Sequence, residues 1–332
     1  MATTKDRESE SRLCSAFSTA NSESAGGSAF SWKRSLMVEV PEPWDGQIIR
    51  SRHFPQGVFK AVATADGSDR EAKLHCILPD DEYSRPDHTR VILFSRPKGH
   101  FSRFDKDDFL VPTEKVLALA EAIVSSDRDL SAFEEYRQDT AATRDILVCT
   151  HGSHDTCCGT FGYPIYDRLR NGLAREAGSN LRVFRVSHLG GHRFAPNFVD
   201  MPEGRNWVRM GVGDVDDLLL RRRAPSELKL FHRGWAGLDT PQEQSAEQEI
   251  FMREGWEWTT RDRSGTVVEA ANDGSPARVR IDYAGANSGG SGSYEATVEQ
   301  IEDASRVECP SGERSGSWWQ FKVTELERIS QA

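Results

Sequence analysis

Four residues stand out because their types and spacing could bind a metal. Cys149 and Cys158 form a C-x8-C pair, and His188 and His192 form an H-x3-H pair. Each pair lies where an apolar, strand-like segment runs into an irregular loop. Two thiolates and two imidazoles can hold either a zinc ion or an iron–sulfur cluster in which histidines replace half of the cysteine ligands. The identity of the metal would decide the function.

The spacing within each pair favours a cluster. Structural zinc sites usually take two cysteines from a turn with about two to four intervening residues, whereas eight residues separate Cys149 from Cys158. A wider loop suits a cluster with two metal atoms. Gly190 and Gly191 lie between the histidines and favour a loop folded closely over the metal, with backbone N–H groups near bridging sulfides. Our hypothesis places both cysteines on a buried iron and both histidines on an outer iron, with a structural or regulatory zinc site as the alternative.

Imidazole ligands would also set the redox behaviour of a cluster. Two neutral imidazoles in place of thiolates make the cluster less negative, and Rieske centres with this substitution have potentials of roughly −150 to +300 mV. The second nitrogen of each imidazole can carry a proton that follows the electron. Rieske loops interleave cysteine and histidine, whereas here both cysteines precede both histidines. Similar chemistry would then have arisen on another fold.

Several neighbours of the four residues are candidates for supporting roles. Cys157 is adjacent to Cys158 and is an alternative second thiolate. Ser153 and Asp155 could hydrogen-bond near a cluster. We interpret His151 and His154, which lie in the same polar loop, as groups that surround the ligands or face solvent.

Other chemistries find less support. A thioredoxin-type thiol enzyme, our third hypothesis, would need a C-x-x-C motif, and the chain offers only the adjacent Cys157 and Cys158. No pair of acidic residues stands out for glycoside hydrolysis. We interpret Arg221 to Arg223, with Lys229 and Arg233, as cations at a helix end and flanking solvated charges rather than as a docking surface for an acidic redox partner.

Charge and composition restrict the partners and the location. The chain has 42 Lys and Arg against 52 Asp and Glu, a formal charge of −10, so its average field repels nucleic acids and anionic membranes. No apolar run has the length of a secretory signal or approaches the roughly 18 residues of a membrane span. The six cysteines are irregularly spaced and do not suggest a disulfide framework. We interpret Cys14, Cys76 and Cys309 as small apolar side chains or free thiols, and we expect a cytoplasmic protein.

The first third of the chain indicates an α/β unit. Residues 1–30 are rich in Ser, Glu and Gly, which predicts a loosely ordered lead-in. An α/β domain is predicted over residues 31–140, with a helix from about Thr113 to Val124. Its predicted strands are Ser35 to Val40, Val58 to Ala65, Lys73 to Leu78 and Val91 to Phe94.

The middle of the chain has the order strand, helix, strand, hairpin, helix. We predict a domain over residues 141–236, in which a strand ends at Cys149, a loop covers Thr150 to Gly162, and a helix begins at Pro164. A second strand, Leu181 to Val186, leads directly to His188. A hairpin around residues 202–205 and a short helix capped by Asp214 complete this unit.

The last part of the chain indicates antiparallel strands. Residues 237–249 are rich in polar residues and predict a linker. Residues 250–332 predict a small antiparallel β-rich appendage, in which Trp256 and Trp258 alternate as in a strand.

The motifs and the element order together resemble one family. Residues 149–158 read CTHGSHDTCC and residues 188–195 read HLGGHRFA, and these stretches resemble the signature of the sucrase/ferredoxin-like family. The resemblance implies an α/β fold with a thioredoxin-like ferredoxin domain. It also implies that Cys149, Cys158, His188 and His192 hold a [2Fe-2S] cluster, so that the protein carries single electrons between a reductase and an acceptor, neither of them identified.

Overall fold

The structure is a computed structural model that describes residues 13–65, 71–177, 180–271, 275–285, 290–301 and 319–329. The expected mixed α/β architecture is confirmed, with a large mixed sheet and a smaller antiparallel one. The strands of the large sheet are β1 (Arg34–Glu39), β2 (Lys73–Ile77), β3 (His88–Ser95), β4 (Asp105–Pro112), β5 (Arg144–Cys149), β6 (Leu181–Val186), β7 (Asn197–Met201), β8 (Arg205–Val208) and β9 (His232–Trp235).

The second sheet and the helices complete the fold. The four antiparallel strands of the second sheet are β10 (Asp262–Ala270), β11 (Ala277–Ala284), β12 (Gly292–Gln300) and β13 (Phe321–Ile329). The α-helices are α1 (Cys14–Ala20), α2 (Val58–Ala63), α3 (Val116–Val124), α4 (Thr156–Arg168), α5 (Ala174–Ala177), α6 (Val215–Leu219) and α7 (Pro241–Glu254). A π-helical turn, Leu169–Leu173, joins α4 to α5, and 3-10 turns occupy Ile48–Arg50, Thr113–Lys115, Ser131–Tyr136, His192–Phe194, Pro225–Phe231 and Trp256–Thr260. Among the residues that the structure describes, no helix is both long and apolar enough to cross a membrane.

The two predicted α/β units share one sheet. Its strand order is β4-β3-β1-β2-β6-β5-β7-β8-β9, and the units meet where β2 pairs with β6 at Ile77 and Val186. The Leu78 N–H donates to the Arg185 carbonyl (3.0 Å), and the Ser187 N–H donates to the Cys76 carbonyl (2.8 Å). The loop after β6, which leads to His188, is therefore tied to the end of β2.

Two short segments predicted as strands are helical. Val58–Ala63 forms α2, in which Val58 and Val62 are buried while Lys60 is exposed. Burial at every fourth residue is the helical period, so the predicted strand is wrong. Trp256–Thr260 forms a 3-10 turn, so the predicted alternation of Trp256 and Trp258 is also wrong.

The helix after β5 begins earlier than predicted. Asp155 precedes its first residue, and the Asp155 carboxylate accepts a hydrogen bond from the Cys157 N–H (2.8 Å). Cys157 and Cys158 therefore lie in the first turn of α4 and not in a loop, and Pro164 lies inside this helix. The N-cap fixes where the helix starts and so fixes the direction of both cysteines.

The predicted lead-in and linker contain ordered elements. Helix α1 lies within the lead-in, and its Cys14, Ser15 and Ser18 are buried. Helix α7 begins within the predicted linker, where Thr240 and Glu243 form a capping box around Pro241. Residues 241–249 are thus helical, which corrects the linker prediction, because the capping box and first-turn proline initiate a helix in this polar segment.

Helix α7 joins the small sheet to the large one. Glu247 of α7 is fully buried and accepts hydrogen bonds from Arg205 of β8 (2.6 Å), Arg263 of β10 (3.1 Å) and the Trp258 indole (2.8 Å). A buried carboxylate that loses its partners is costly, so these hydrogen bonds are maintained. Because Arg205 lies on β8 and Arg263 on β10, the network anchors β10 to the large sheet.

Candidate metal centre

The candidate centre lies at the carboxyl ends of two neighbouring parallel strands. Cys149 is the last residue of β5 and pairs with Val186, the last residue of β6. The chain continues from β6 through Ser187 to His188. Because parallel strands end at the same edge of a sheet, the loops that carry the candidate ligands begin side by side.

Three of the four predicted ligands come together. One donor atom each from Cys149, Cys158 and His188 can be chosen so that all lie within 4.8 Å of one another. The Cys158 Sγ is 3.5 Å from the His188 Nδ1. Both thiols are buried, and His188 is partly buried. Two sulfurs and a ring nitrogen in a buried group suit a soft or borderline metal.

His192 lies beside this group but outside it. Its ring centroid is 6.4 Å from that of His188. Its Nδ1 lies 3.4 Å from the Oδ2 of Asp155, the same carboxylate that caps α4. If Nδ1 carries the ring proton towards Asp155, Nε2 is left as the nitrogen that could bind a metal.

Cys157 faces different surroundings from Cys158. It packs with Cys14 and Ala195. Cys158 instead packs with Cys149 in a large hydrophobic cluster, the main core, which also contains Leu147 and Ile165. Burial raises the pKa of the Cys157 thiol to about 11. Of the two adjacent cysteines, Cys158 is therefore the one placed with Cys149 and His188.

The pKa values of the Cys149 and Cys158 thiols are shifted in opposite directions. The pKa of Cys149 is held well below its usual range, first because the Cys158 thiol donates a hydrogen bond to it and further because His188 and the Leu189 N–H stabilise the thiolate, against the effect of burial. The pKa of Cys158 is raised, because its proton bonds to Cys149 and because it is buried. The pair thus offers one thiolate and one thiol, and a metal would displace the remaining proton.

The double glycine is required by its backbone and by its neighbours. Gly190 and Gly191 have φ values of +71° and +72°, which favour glycine. A Cβ on Gly190 would lie 2.0 Å from the Phe30 ring, and one on Gly191 would lie 2.7 Å from the Arg233 guanidinium. The loop therefore passes close to these two side chains, and its close approach to a metal stays a prediction.

Arg233 is buried beside the centre, so the prediction of a solvated cation is wrong. It donates to the Gly190 carbonyl (3.1 Å) and to the Ser28 hydroxyl (3.1 Å). Burial lowers its pKa to about 10, while the nearby Cys149 and Cys158 act to raise it. A buried cation here favours anionic sulfur ligands. Its position depends on contacts with distant residues, which the sequence pattern does not show.

The remaining predicted neighbours contact the segment after β1. Ser153 donates from its hydroxyl to the Trp44 carbonyl (2.8 Å), and the His154 Nδ1 lies 2.7 Å from the Gly46 carbonyl oxygen. The exposed His154 ring lies over His188, with centroids 4.1 Å apart. The sequence did not indicate any role for the Trp44 to Gly46 segment.

His75 is a further neighbour that the sequence did not reveal. It lies on β2 with its ring centroid 5.5 Å from that of Trp32. Burial, followed by the nearby His188, lowers its pKa to about 4. A neutral imidazole is therefore held beneath the loop that carries His188.

The other cysteines differ in state. Cys14 is disulfide-bonded, which contradicts its interpretation as a free thiol or apolar side chain. Cys76 is a buried free thiol, as expected. Cys309 lies outside the described residues.

The fold and the donor group together define a mixed α/β protein with a buried cysteine–histidine group that could hold a metal. The chain belongs to the sucrase/ferredoxin-like family, which matches residues 26–234. This match covers all four predicted ligands and eight of the nine strands of the large sheet completely.

Two curated relatives are similar over part of the chain. Altered inheritance of mitochondria protein 32 of Debaryomyces hansenii is 27% identical over 113 residues, which are 32% of this chain and 41% of that protein. The protein of the same name from Meyerozyma guilliermondii is 28% identical over 98 residues, which are 28% of this chain and 35% of that protein. The chain thus matches about two fifths or less of the length of these relatives. No solved structure matches the chain significantly.

Proposed function

We propose that this protein carries single electrons on a [2Fe-2S] cluster bound by Cys149, Cys158, His188 and His192. The observation that carries the proposal is the group formed by two buried sulfurs and the nitrogen of the partly buried His188, with donor atoms within 4.8 Å of one another. Membership of the family supports the choice of cluster, because the resemblance of the motifs implies this ligand set. A bound cluster would supply a one-electron redox centre.

The burial of the ligands supports the division between two irons. Cys149 and Cys158 lie in the main core, whereas His188 and His192 are partly exposed. The cysteines would therefore hold an inner iron and the histidines an outer one. Asp155 would orient His192 through Nδ1, as carboxylates often do for metal-bound histidines.

We also propose that the domain around the site is thioredoxin-like. Strands β5 and β6 are parallel and flank α4 in sequence, and β7 and β8 follow as an antiparallel hairpin next to β5. This is the strand, helix, strand, hairpin order on which the prediction rested. The electron donor and acceptor would be a reductase and a redox protein, reached in the cytoplasm. Fractionation of cells that produce the tagged chain tests the location.

A zinc site is the second candidate. The three donors are close enough for one ion, and His192 could supply a fourth ligand from beside them. Such a Cys₂His₂ set would be a structural or regulatory site. A thiol-exchange enzyme that uses the adjacent Cys157 and Cys158 is less well supported, because the pKa of both thiols is raised, to about 11 for Cys157, and reactive thiols need a lowered one. The pKa of Cys149 is lowered, but this thiol is fully buried, whereas reactive thiols are partly exposed.

Metal analysis of anaerobically purified protein separates these functions. The proposal predicts about two irons and two sulfides per chain, a reddish-brown colour and a paramagnetic signal after reduction. Replacing Cys149 or Cys158 by serine should abolish the cluster, whereas Cys157→Ser is the matched control and should keep it. A colourless chain with one zinc would overturn the electron-transfer function and favour the second candidate.

A further inference from the structure

His151 links three loops around the candidate centre. It follows β5 by two residues and is buried. Its Nε2 lies 2.8 Å from the Asp45 carbonyl oxygen, and its Nδ1 accepts a hydrogen bond from the backbone N–H of His188 at 3.3 Å. One ring therefore joins the segment after β1, the loop after β5 and the loop after β6.

These two contacts define one tautomer of His151. A backbone N–H can only donate, so the Nδ1 that faces His188 must present its lone pair. The ring proton then lies on Nε2 and is donated to the Asp45 carbonyl. Both ring nitrogens are thus satisfied by a neutral imidazole.

The ring is also fixed by packing. It meets the Trp44 indole edge to face, with centroids 5.4 Å apart and planes at 78°. The Trp44 indole N–H donates to the Val40 carbonyl (2.8 Å), which anchors it at the end of β1. His151 therefore connects the segment after β1 to the backbone of His188, so that the position of one affects the position of the other.

We propose that His151 is a positioning residue, which holds the His188 backbone through Nδ1 so that the His188 ring meets Cys158. This inference rests on the proposed role of His188 as a ligand. It deepens the proposal, because it makes the Trp44 to Asp45 segment part of the metal centre. The predicted domain over residues 141–236 would then not hold the centre in place alone.

Two substitutions separate the two contacts of His151. In His151→Asn the side-chain oxygen takes the place of Nδ1 and can still accept from the His188 N–H. In His151→Gln the side-chain amide reaches the place of Nε2 and can still donate to Asp45. We expect His151→Gln to lower metal affinity by about 10- to 100-fold, as loss of groups that orient ligands does, and His151→Asn to stay near the unchanged chain.

The probe is Co²⁺, added anaerobically to the metal-free chain and followed by its visible absorption. Its spectrum reports sulfur and nitrogen ligands whichever metal the protein naturally holds, so it decides the role of His151 even if iron and sulfide are not found. Thermal unfolding of each metal-free variant shows whether it is folded. Equal loss of Co²⁺ affinity in both variants, or no loss in either, would overturn the proposal. A chain that binds neither Co²⁺ nor an iron–sulfur cluster would overturn the proposed function as well.

Discussion

Gly162 of α4 passes so close to Cys149 that an alanine Cβ at position 162 would lie 1.9 Å from the Cys149 carbonyl oxygen. The obstacle is backbone, which cannot move aside as a flexible side chain could. This close approach sets the distance between the start of α4, which carries Cys158, and the end of β5.

Gly162→Ala should therefore displace α4 and separate the two thiols. We expect a loss of about 1–3 kcal/mol in the free energy of unfolding, as for other overpacked sites, together with a lower metal content. Urea unfolding and metal analysis measure the two effects. Gly213→Ala is the matched control, since Gly213 is exposed and nothing lies within 4 Å of the added Cβ. Full metal content in Gly162→Ala would show that the contact does not position Cys158.

Asp155 has two roles that substitution can separate. Asp155→Asn keeps an oxygen that can accept from the Cys157 N–H, so the cap of α4 should survive, but the negative charge facing His192 is lost. We expect near-normal stability and a metal affinity reduced by about 10- to 100-fold. Asp155→Ala removes the cap as well and should cost about a further 1 kcal/mol. Unfolding and metal titration of both variants test this, and equal metal affinity in Asp155→Asn and the unchanged chain would exclude the role at His192.

His188→Cys should keep a cluster and lower its potential. A thiolate places negative charge where a neutral imidazole stood, and plant-type ferredoxins lie near −400 mV, below the roughly −150 to +300 mV of centres with two histidines. A redox titration followed by the paramagnetic signal measures the change. His154→Gln is the control, because its exposed ring lies next to His188 but is not a proposed ligand. An unchanged potential in His188→Cys would remove His188 from the ligand set.

Glu247→Gln should strongly destabilise the fold. It leaves Arg205 and Arg263 buried without their carboxylate, and breaking such pairs costs about 3–5 kcal/mol. Glu249→Gln, which removes a partly exposed pair with Lys229, should cost less than about 1 kcal/mol. Denaturant unfolding of both variants at neutral pH measures the difference, and similar small losses would contradict the anchoring role of Glu247.

The same carboxylate predicts a pH dependence. Burial acts to raise the pKa of Glu247, but Arg205 and Arg263 outweigh it and lower the pKa from 4.5 to about 2. The folded state therefore holds the proton less tightly than the unfolded state, so this stabilisation is present above about pH 4.5 and is lost as the pH falls towards 2. The free energy of unfolding should fall across this window more steeply in the unchanged chain than in Glu247→Gln. Equal slopes would show that Glu247 is not the group responsible.

Elements with long or clear patterns could be predicted from the sequence. Strands β5 and β6, the β7–β8 hairpin and the antiparallel C-terminal strands are confirmed. The short run at Val58–Ala63 was misassigned because an apolar run of this length fits both the strand and the helix period. The start of α4 was missed because Pro164 was assigned to the first turn of the helix and Gly162 to the preceding loop, although packing on β5 requires a glycine at this position inside the helix.

The candidate site was predictable as far as it depends on local motifs. The C-x8-C and H-x3-H spacing identified three residues that the structure brings together, and ligation by all four stays a prediction. The contacts of His151 with Asp45 and of Arg233 with Gly190 join residues far apart in the chain. No local pattern encodes these contacts, because the first depends on how the two halves of the large sheet meet and the second on how the loop after β6 packs against β9.

The shared core of the two sheets has a consequence for limited proteolysis. Val279, Ile281 and Tyr294 of the small sheet belong to the same hydrophobic cluster as Cys149 and Cys158. A protease that cuts near the exposed Asp239, between β9 and α7, would nick the chain without releasing a fragment. The two pieces would elute together until denaturant, with a thiol reductant to open the disulfide bond of Cys14, separates them.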